Sequence, residues 1–140
     1  MGPAETITQF HAAVAAKDIE AIKHAYVESE ELYVILEGPR LSNRGHSNIS
    51  KGWTDFCNSG LSLESITWTE GPYEDIEGNM SWVGGVIVLS VAVGERTFTQ
   101  TFRSTFVLLK EEDQWKIKHE HVSAALEDPY GIGDWLKESS

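Results

Sequence analysis

Between Trp115 and Val122 the chain reads W-K-I-K-H-E-H-V, and its alternation decides which side chains can share a pocket. In an extended strand Trp115, Ile117, His119 and His121 point one way, and Lys116, Lys118, Glu120 and Val122 the other. The first set is two apolar side chains followed by two imidazoles, a face that is costly to bury unless a polar cavity receives it. The pattern predicts a pocket floored by this strand.

The elements before it follow from period and punctuation. Ile7, Phe10 and Val14 recur at helical spacing behind Pro3 and Glu5, which predicts a helix to about Lys17. Asp18 caps a second helix with the stripe Ile19, Ile22 and Tyr26, and the acidic stretch Glu28 to Glu31 closes it. Leu32 to Leu36 reads as a first strand, broken by Gly38-Pro39. A third helix starting near Ser42 or Asn43 carries Ile49, Trp53 and Phe56 on one face and stops at Gly60. Three longer strands follow at Leu61 to Thr69, Trp82 to Val93 and Arg96 to Leu109, with Gly94-Glu95 as a tight hairpin and residues 71–79 as an acidic loop. The last strand is Trp115 to Ser123. The tail from residue 126 is Gly- and Pro-rich, and its Tyr130, Ile132, Trp135 and Leu136 are expected to fold back over apolar surface.

The 140 residues, 41% of them hydrophobic, suffice for one domain with a core at about residues 5–125 and a tail at 126–140. The single cysteine, Cys57, excludes an internal disulfide and suits a reducing compartment. With 22 acidic against 11 basic side chains, the net charge of −11 repels nucleic acid and anionic lipid alike. The first residues carry neither a basic region nor an apolar run, so a cytoplasmic location without a membrane span is expected.

Pairing the hairpins places Val86 opposite Arg103, Arg103 opposite His121 and Thr105 opposite His119. One face of the sheet then holds Trp82, Val86, Arg103, Thr105, His119 and His121, and this is the face assigned to the pocket. The opposite face holds Ile87, Leu89, Phe98, Phe102 and Phe106. That face is too apolar for water, so a homodimer is expected to cover it.

The order helix-helix-strand-helix followed by four antiparallel strands resembles the nuclear transport factor 2-like cone, the fold shared with ketosteroid isomerase and the SnoaL-like cyclases. K-D-I-E-A-I (Lys17 to Ile22), R-G-H-S-N-I (Arg44 to Ile49), R-S-T-F-V-L-L-K (Arg103 to Lys110) and W-K-I-K-H-E-H-V-S (Trp115 to Ser123) are similar to the SnoaL-like subgroup. The resemblance implies an α+β fold, a curved antiparallel sheet wrapped around N-terminal helices, with a cavity between the two. It does not carry an activity over. Ketosteroid isomerase uses a Tyr and a protonated Asp as oxyanion donors and another Asp as base. Here the donor Tyr falls at Phe10, the base between Val34 and Leu36, and the donor Asp near Arg103 or Ser104. Glu37 lies just past the base region and could replace it only through a bulge at the strand end.

What remains is a set of candidates. Arg103 in a strand centre needs an anion, either an internal carboxylate such as Glu37 or the carboxylate of a ligand. His119 is the candidate acid-base group. His119 and His121 are spaced to share a metal, but only His46 offers a third ligand, so none is expected. No cofactor motif appears. The reading is a binding protein or unassigned enzyme for a small anionic or carbonyl-bearing molecule, held by Arg103, His119, His121 and Thr105 between Trp82, Trp53 and Tyr33, with His46 nearby. The alternative is a protein-interaction module with a purely structural pocket.

Overall fold

Pro3 opens the first helix, where its missing N–H costs nothing, and the helix α1 runs Pro3–Ala16 until Lys17 adopts a left-handed conformation. The Asp18 carboxylate accepts from the Ala21 N–H and starts α2, Ile19–His24. Next come β1 (Tyr33–Ile35), β2 (Asn43–Arg44) and α3 (His46–Cys57). Four long strands complete the chain: β3 (Leu61–Glu77), β4 (Met80–Val93), β5 (Arg96–Glu111) and β6 (Gln114–Ser123). This computed structural model describes residues 1–134 and 136. The expectation for Trp135 lies outside them.

The six strands form one sheet in the order β2-β1-β6-β5-β4-β3, with β1 parallel to β6 and the other pairs antiparallel. Two-residue turns set the hairpins. Gly78 and Gly94 take positive φ at the first turn position, while Glu112 and Asp113 both do so between β5 and β6. The expected acidic loop at 71–79 is instead the outer half of β3. Its backbone pairs with β4 as far as Glu77↔Met80, and register shifts near Glu70 absorb the irregular sequence.

The sheet faces are exchanged relative to the expectation. The helices lie on the side bearing Val83, Phe106 and Leu108, which pack with Ile7, Phe10, Val14 and Ile22, and the same side carries a second cluster of Ile87 and Leu89 with Phe98 and Phe102. The set Trp82, Val86, Arg103, Thr105, His119 and His121 does share a face, but it is the outer one. Burial decides this: the more apolar set gains more from the helices.

Strict alternation also fails within β6. Leu108 pairs with Ile117 but Val107 pairs with His119, so Lys118 is an extra residue in a β-bulge. The phase therefore flips. Trp115 and Ile117 point to the core, and beyond the bulge Glu120 and Val122 do. His121 pairs with Thr105 and Ser123 with Arg103, two residues away from the expected partners.

The described residues of the tail do not fold back over the core. Asp128 accepts from the N–H groups of Ile132 and Gly133, and Tyr130, Ile132 and Leu136 remain exposed.

Candidate functional site

A cavity of about 640 Å³ lies between α3 and the concave side of β3, β4 and β5. Its walls are apolar, with Leu36, Trp53, Phe56, Leu63, Phe98 and Phe102 among them, and Glu37, Arg40, Asn43 and Gln100 supply polar groups. Alternation in β5 delivers Phe98, Gln100 and Phe102 to this side, while the helical period of α3 brings Ile49, Trp53 and Phe56 over them. The chain bends at Glu37, immediately past β1, and turns that side chain into the cavity.

Glu37 is exposed to solvent, yet protein crowds around its carboxyl. That crowding raises its pKa above the ordinary value of 4.5, and a bond from its own backbone N–H opposes the rise. Among the described residues no basic side chain lies within ion-pairing distance of it.

Behind Trp53 is a fully buried polar chain. Trp53 Nε1 donates to the Tyr26 hydroxyl at 3.0 Å, and Tyr26 donates to Glu120 Oε1 at 2.5 Å. Glu120 is only 3% exposed; it sits beside Phe106 on the neighbouring strand and Val34 on the other side. Phe10 packs edge-on against Tyr26, Trp53 and Phe106, completing an aromatic box. Desolvation raises the Glu120 pKa to about 8, the Tyr26 hydrogen bond lowers it, and the Glu37 charge raises it again. Burial thus favours the protonated form of Glu120. Tyr26 is pushed well above its usual value by burial first and by Glu120 second.

A second buried polar group sits under α1. His11, 6% exposed, packs against Trp68 and Phe106, and burial lowers its pKa to about 4. Trp68 Nε1 and Ser104 Oγ, on the same side of the sheet, have no hydrogen-bond partner among the described residues.

The residues expected to form the pocket divide sharply. Trp53 lines the cavity. Arg103 is exposed on the outer face and donates to Ser123 Oγ and the Ala124 carbonyl, not to Glu37. His119 Nδ1 bonds to the Tyr33 carbonyl at 2.8 Å, and its ring stacks on Tyr33. Thr105, His121 and Trp82 share that outer face. His46 ties α3 to α2, with Nε2 against the Lys23 carbonyl and Nδ1 against Ser50 Oγ. This places it in a polar groove with Glu28, Glu30 and Arg44, away from the cavity. No cluster of three or more His, Cys, Asp or Glu suited to a metal occurs among the described residues.

Sequence reasoning missed Glu120 and Tyr26 as a pair, and weighed Glu37 only as a partner for Arg103 or as a displaced base. One signal for Glu120 was present: the apolar residues shift from odd positions at Trp115 and Ile117 to the even position of Val122, which requires a break in alternation between them.

A curved sheet wrapped around three helices, with its cavity between them, is the nuclear transport factor 2-like fold. The family model described as a SnoaL-like domain matches residues 4–127, and the chain belongs to that family. Solved structures agree on the fold. A nuclear transport factor 2-like superfamily protein from Salmonella enterica has 22% identity and a TM-score of 0.79, with 93% of each chain covered. A protein from Xanthomonas campestris described as a calcium/calmodulin dependent protein kinase II association domain has 16% identity and a TM-score of 0.75, covering 89% of this chain and 86% of that one. A ketosteroid isomerase-like protein from Erwinia carotovora has 10% identity and a TM-score of 0.71, covering 85% and 90%. No curated protein matches the chain.

Proposed function

We propose that this chain binds a small organic molecule in the cavity between α3 and the concave sheet, its apolar body against Trp53, Phe56, Phe98 and Phe102 and its polar end at Glu37. The observation that carries the reading is the cavity itself. A protein core packed to normal density does not leave about 640 Å³ open behind apolar walls, and this volume falls in the range of ligand sites. It favours a binding site over an interaction module whose pocket is only structural. The expectation of an anionic ligand rested on Arg103, which faces the other way. A carbonyl remains compatible if Glu37 carries its proton. Where the bound molecule is also transformed, Glu37 is the acid-base group in reach, because His119 is on the outer face.

The test uses Nile red, a neutral apolar dye, and Gly52 of α3. Nothing lies within 4 Å of a Cβ built at Gly52, and the residue borders the cavity. Gly52→Phe should fill the space, leave the far-ultraviolet circular dichroism unchanged and weaken dye binding about tenfold or more. Undiminished binding would place the dye elsewhere.

The same reading includes a homodimer in a cytoplasmic setting, now through the outer face. Trp82 is 44% and Tyr33 40% exposed there, on a surface continued by Val86, Val88 and Val107. Sedimentation should give two subunits for the wild type and one for Trp82→Asp. A wild type that stays monomeric at micromolar concentration removes the dimer from the reading. No helix among the described residues is long and apolar enough to cross a membrane.

A further inference from the structure

We infer that the polar end of the ligand is a protonated amine, so that the cavity selects cationic molecules with an aromatic or aliphatic body over neutral and anionic ones of the same shape. The inference rests on the cavity reading above and names its ligand class.

The charged groups around the cavity decide it. Lys51 and Asp55, both on α3 and both exposed, are paired with each other at 3.0 Å and cancel at the rim. Arg40, in the loop after β1, is exposed at the cavity's edge and forms no ion pair with Glu37 among the described residues. Glu37, itself exposed, is therefore the carboxylate of the cavity lining left without a counter-ion among the described residues. Behind the Trp53 wall stands a second carboxyl, Glu120, whose bonded neighbour Tyr26 is an acid as well. Both are buried acids held toward their neutral forms, so the negative charge offered to a cation is that of Glu37. A bound ammonium would pair with Glu37, removing the cost of an unmatched, partly desolvated carboxylate.

Two further features favour a cation. Trp53, Phe56, Phe98 and Phe102 present ring surfaces that attract an ammonium group through their quadrupoles. The net charge of −11 concentrates cations near the protein and repels anions at a distance. A neutral carbonyl would use neither, although Asn43 and Gln100 in the lining can donate to it.

Four probes with a common naphthyl body separate the cases: naphthylethylamine, naphthylethanol, acetonaphthone and naphthylacetic acid, measured by isothermal calorimetry at pH 7.5 with wild type, Glu37→Gln and Gly52→Phe. The amine should bind about tenfold or more tightly than the alcohol and ketone, with the acid weakest, since a hydrogen bond to a charged group exceeds a neutral one by about that factor. In Glu37→Gln the amine should fall to the level of the alcohol while the alcohol holds its own affinity, which also shows that the variant is folded. Equal binding of amine and alcohol in the wild type, or an amine preference that survives Glu37→Gln, overturns the inference. If those equal affinities are both lost in Gly52→Phe, the cavity reading stands and only the amine is wrong. Failure of all four probes to bind overturns both.

Discussion

The Glu120→Gln variant should lose the decline in stability that the wild type shows as pH rises from about 6.5 to about 8. Glu120 keeps its proton to about pH 8 in the folded protein, whereas the unfolded chain releases it near the ordinary value of 4.5. The unfolded state is therefore favoured progressively from pH 4.5 up to 8, by on the order of 5 kcal/mol in all. His11 works in the opposite direction. Its folded-state pKa of about 4 lies below the ordinary 6.5, so the unfolded chain gains a proton first and stability falls as pH drops from 6.5 to 4, by on the order of 3 kcal/mol. Between pH 4.5 and 6.5 these two slopes largely offset each other, with the raised Glu37 carboxyl adding to the decline above 4.5, and above 6.5 the Glu120 decline continues. Urea unfolding across this range measures both. Glu120→Gln retains an acceptor for Tyr26, and its profile should rise from pH 4 to 6.5 and then stay level. His11→Phe should do the reverse, declining from pH 4.5 to 8 without an acid limb below it. Parallel profiles for wild type and Glu120→Gln would show that Glu120 ionises with its ordinary affinity, and the buried acid would then be lost from the account.

Gly85→Ala should be among the most damaging single substitutions in the sheet. A Cβ at this position would overlap the Glu70 carbonyl oxygen and lie 3.0 Å from Cε3 and Cζ3 of the Trp68 ring. The β3–β4 register slips on both sides of Glu70, so the bulged backbone and the indole occupy the space that a side chain would need. Neither can retreat cheaply: the carbonyl belongs to a paired strand, and Trp68 packs against the buried cluster of Ile87, Leu89, Val91 and Val122. A loss of about 3 kcal/mol or more in urea unfolding is expected. Gly52→Ala supplies the contrast, because its Cβ meets nothing within 4 Å and α3 gains a better helix former, worth up to about 1 kcal/mol. A mild Gly85→Ala would mean that the β3 bulge can relax and that the curvature of the sheet does not depend on it.

Much of the fold was legible because its signals are local. Turn chemistry marked Gly94-Glu95, Pro3 and Asp18 marked helix starts, and the order of elements sufficed for the α+β cone with helices against a curved antiparallel sheet. The grouping of side chains by face was legible too: Trp82, Arg103, Thr105, His119 and His121 do stand together. Short β2 was missed because two residues carry no periodicity, and the outer half of β3 was missed because its pairing lies in the backbone rather than in its acidic side chains.

The amino-acid sequence by itself determined the helices, the long strands, the β4–β5 hairpin with its two side-chain sets and the acidic surface, all of which depend on spacing along the chain. Tertiary structure alone decided which set faces the helices. A strand's alternation is symmetric under exchange of its two faces, and the choice is made by total apolar area against α1 and α3, summed over strands distant in the chain. It also decided that Lys118 bulges, which carries Glu120 from the solvent side of the pattern into an aromatic box with Tyr26 and Trp53. One inserted residue reverses the phase of everything beyond it, and only the pairing of Val107 with His119, fixed by the neighbouring strand, reveals that it is there.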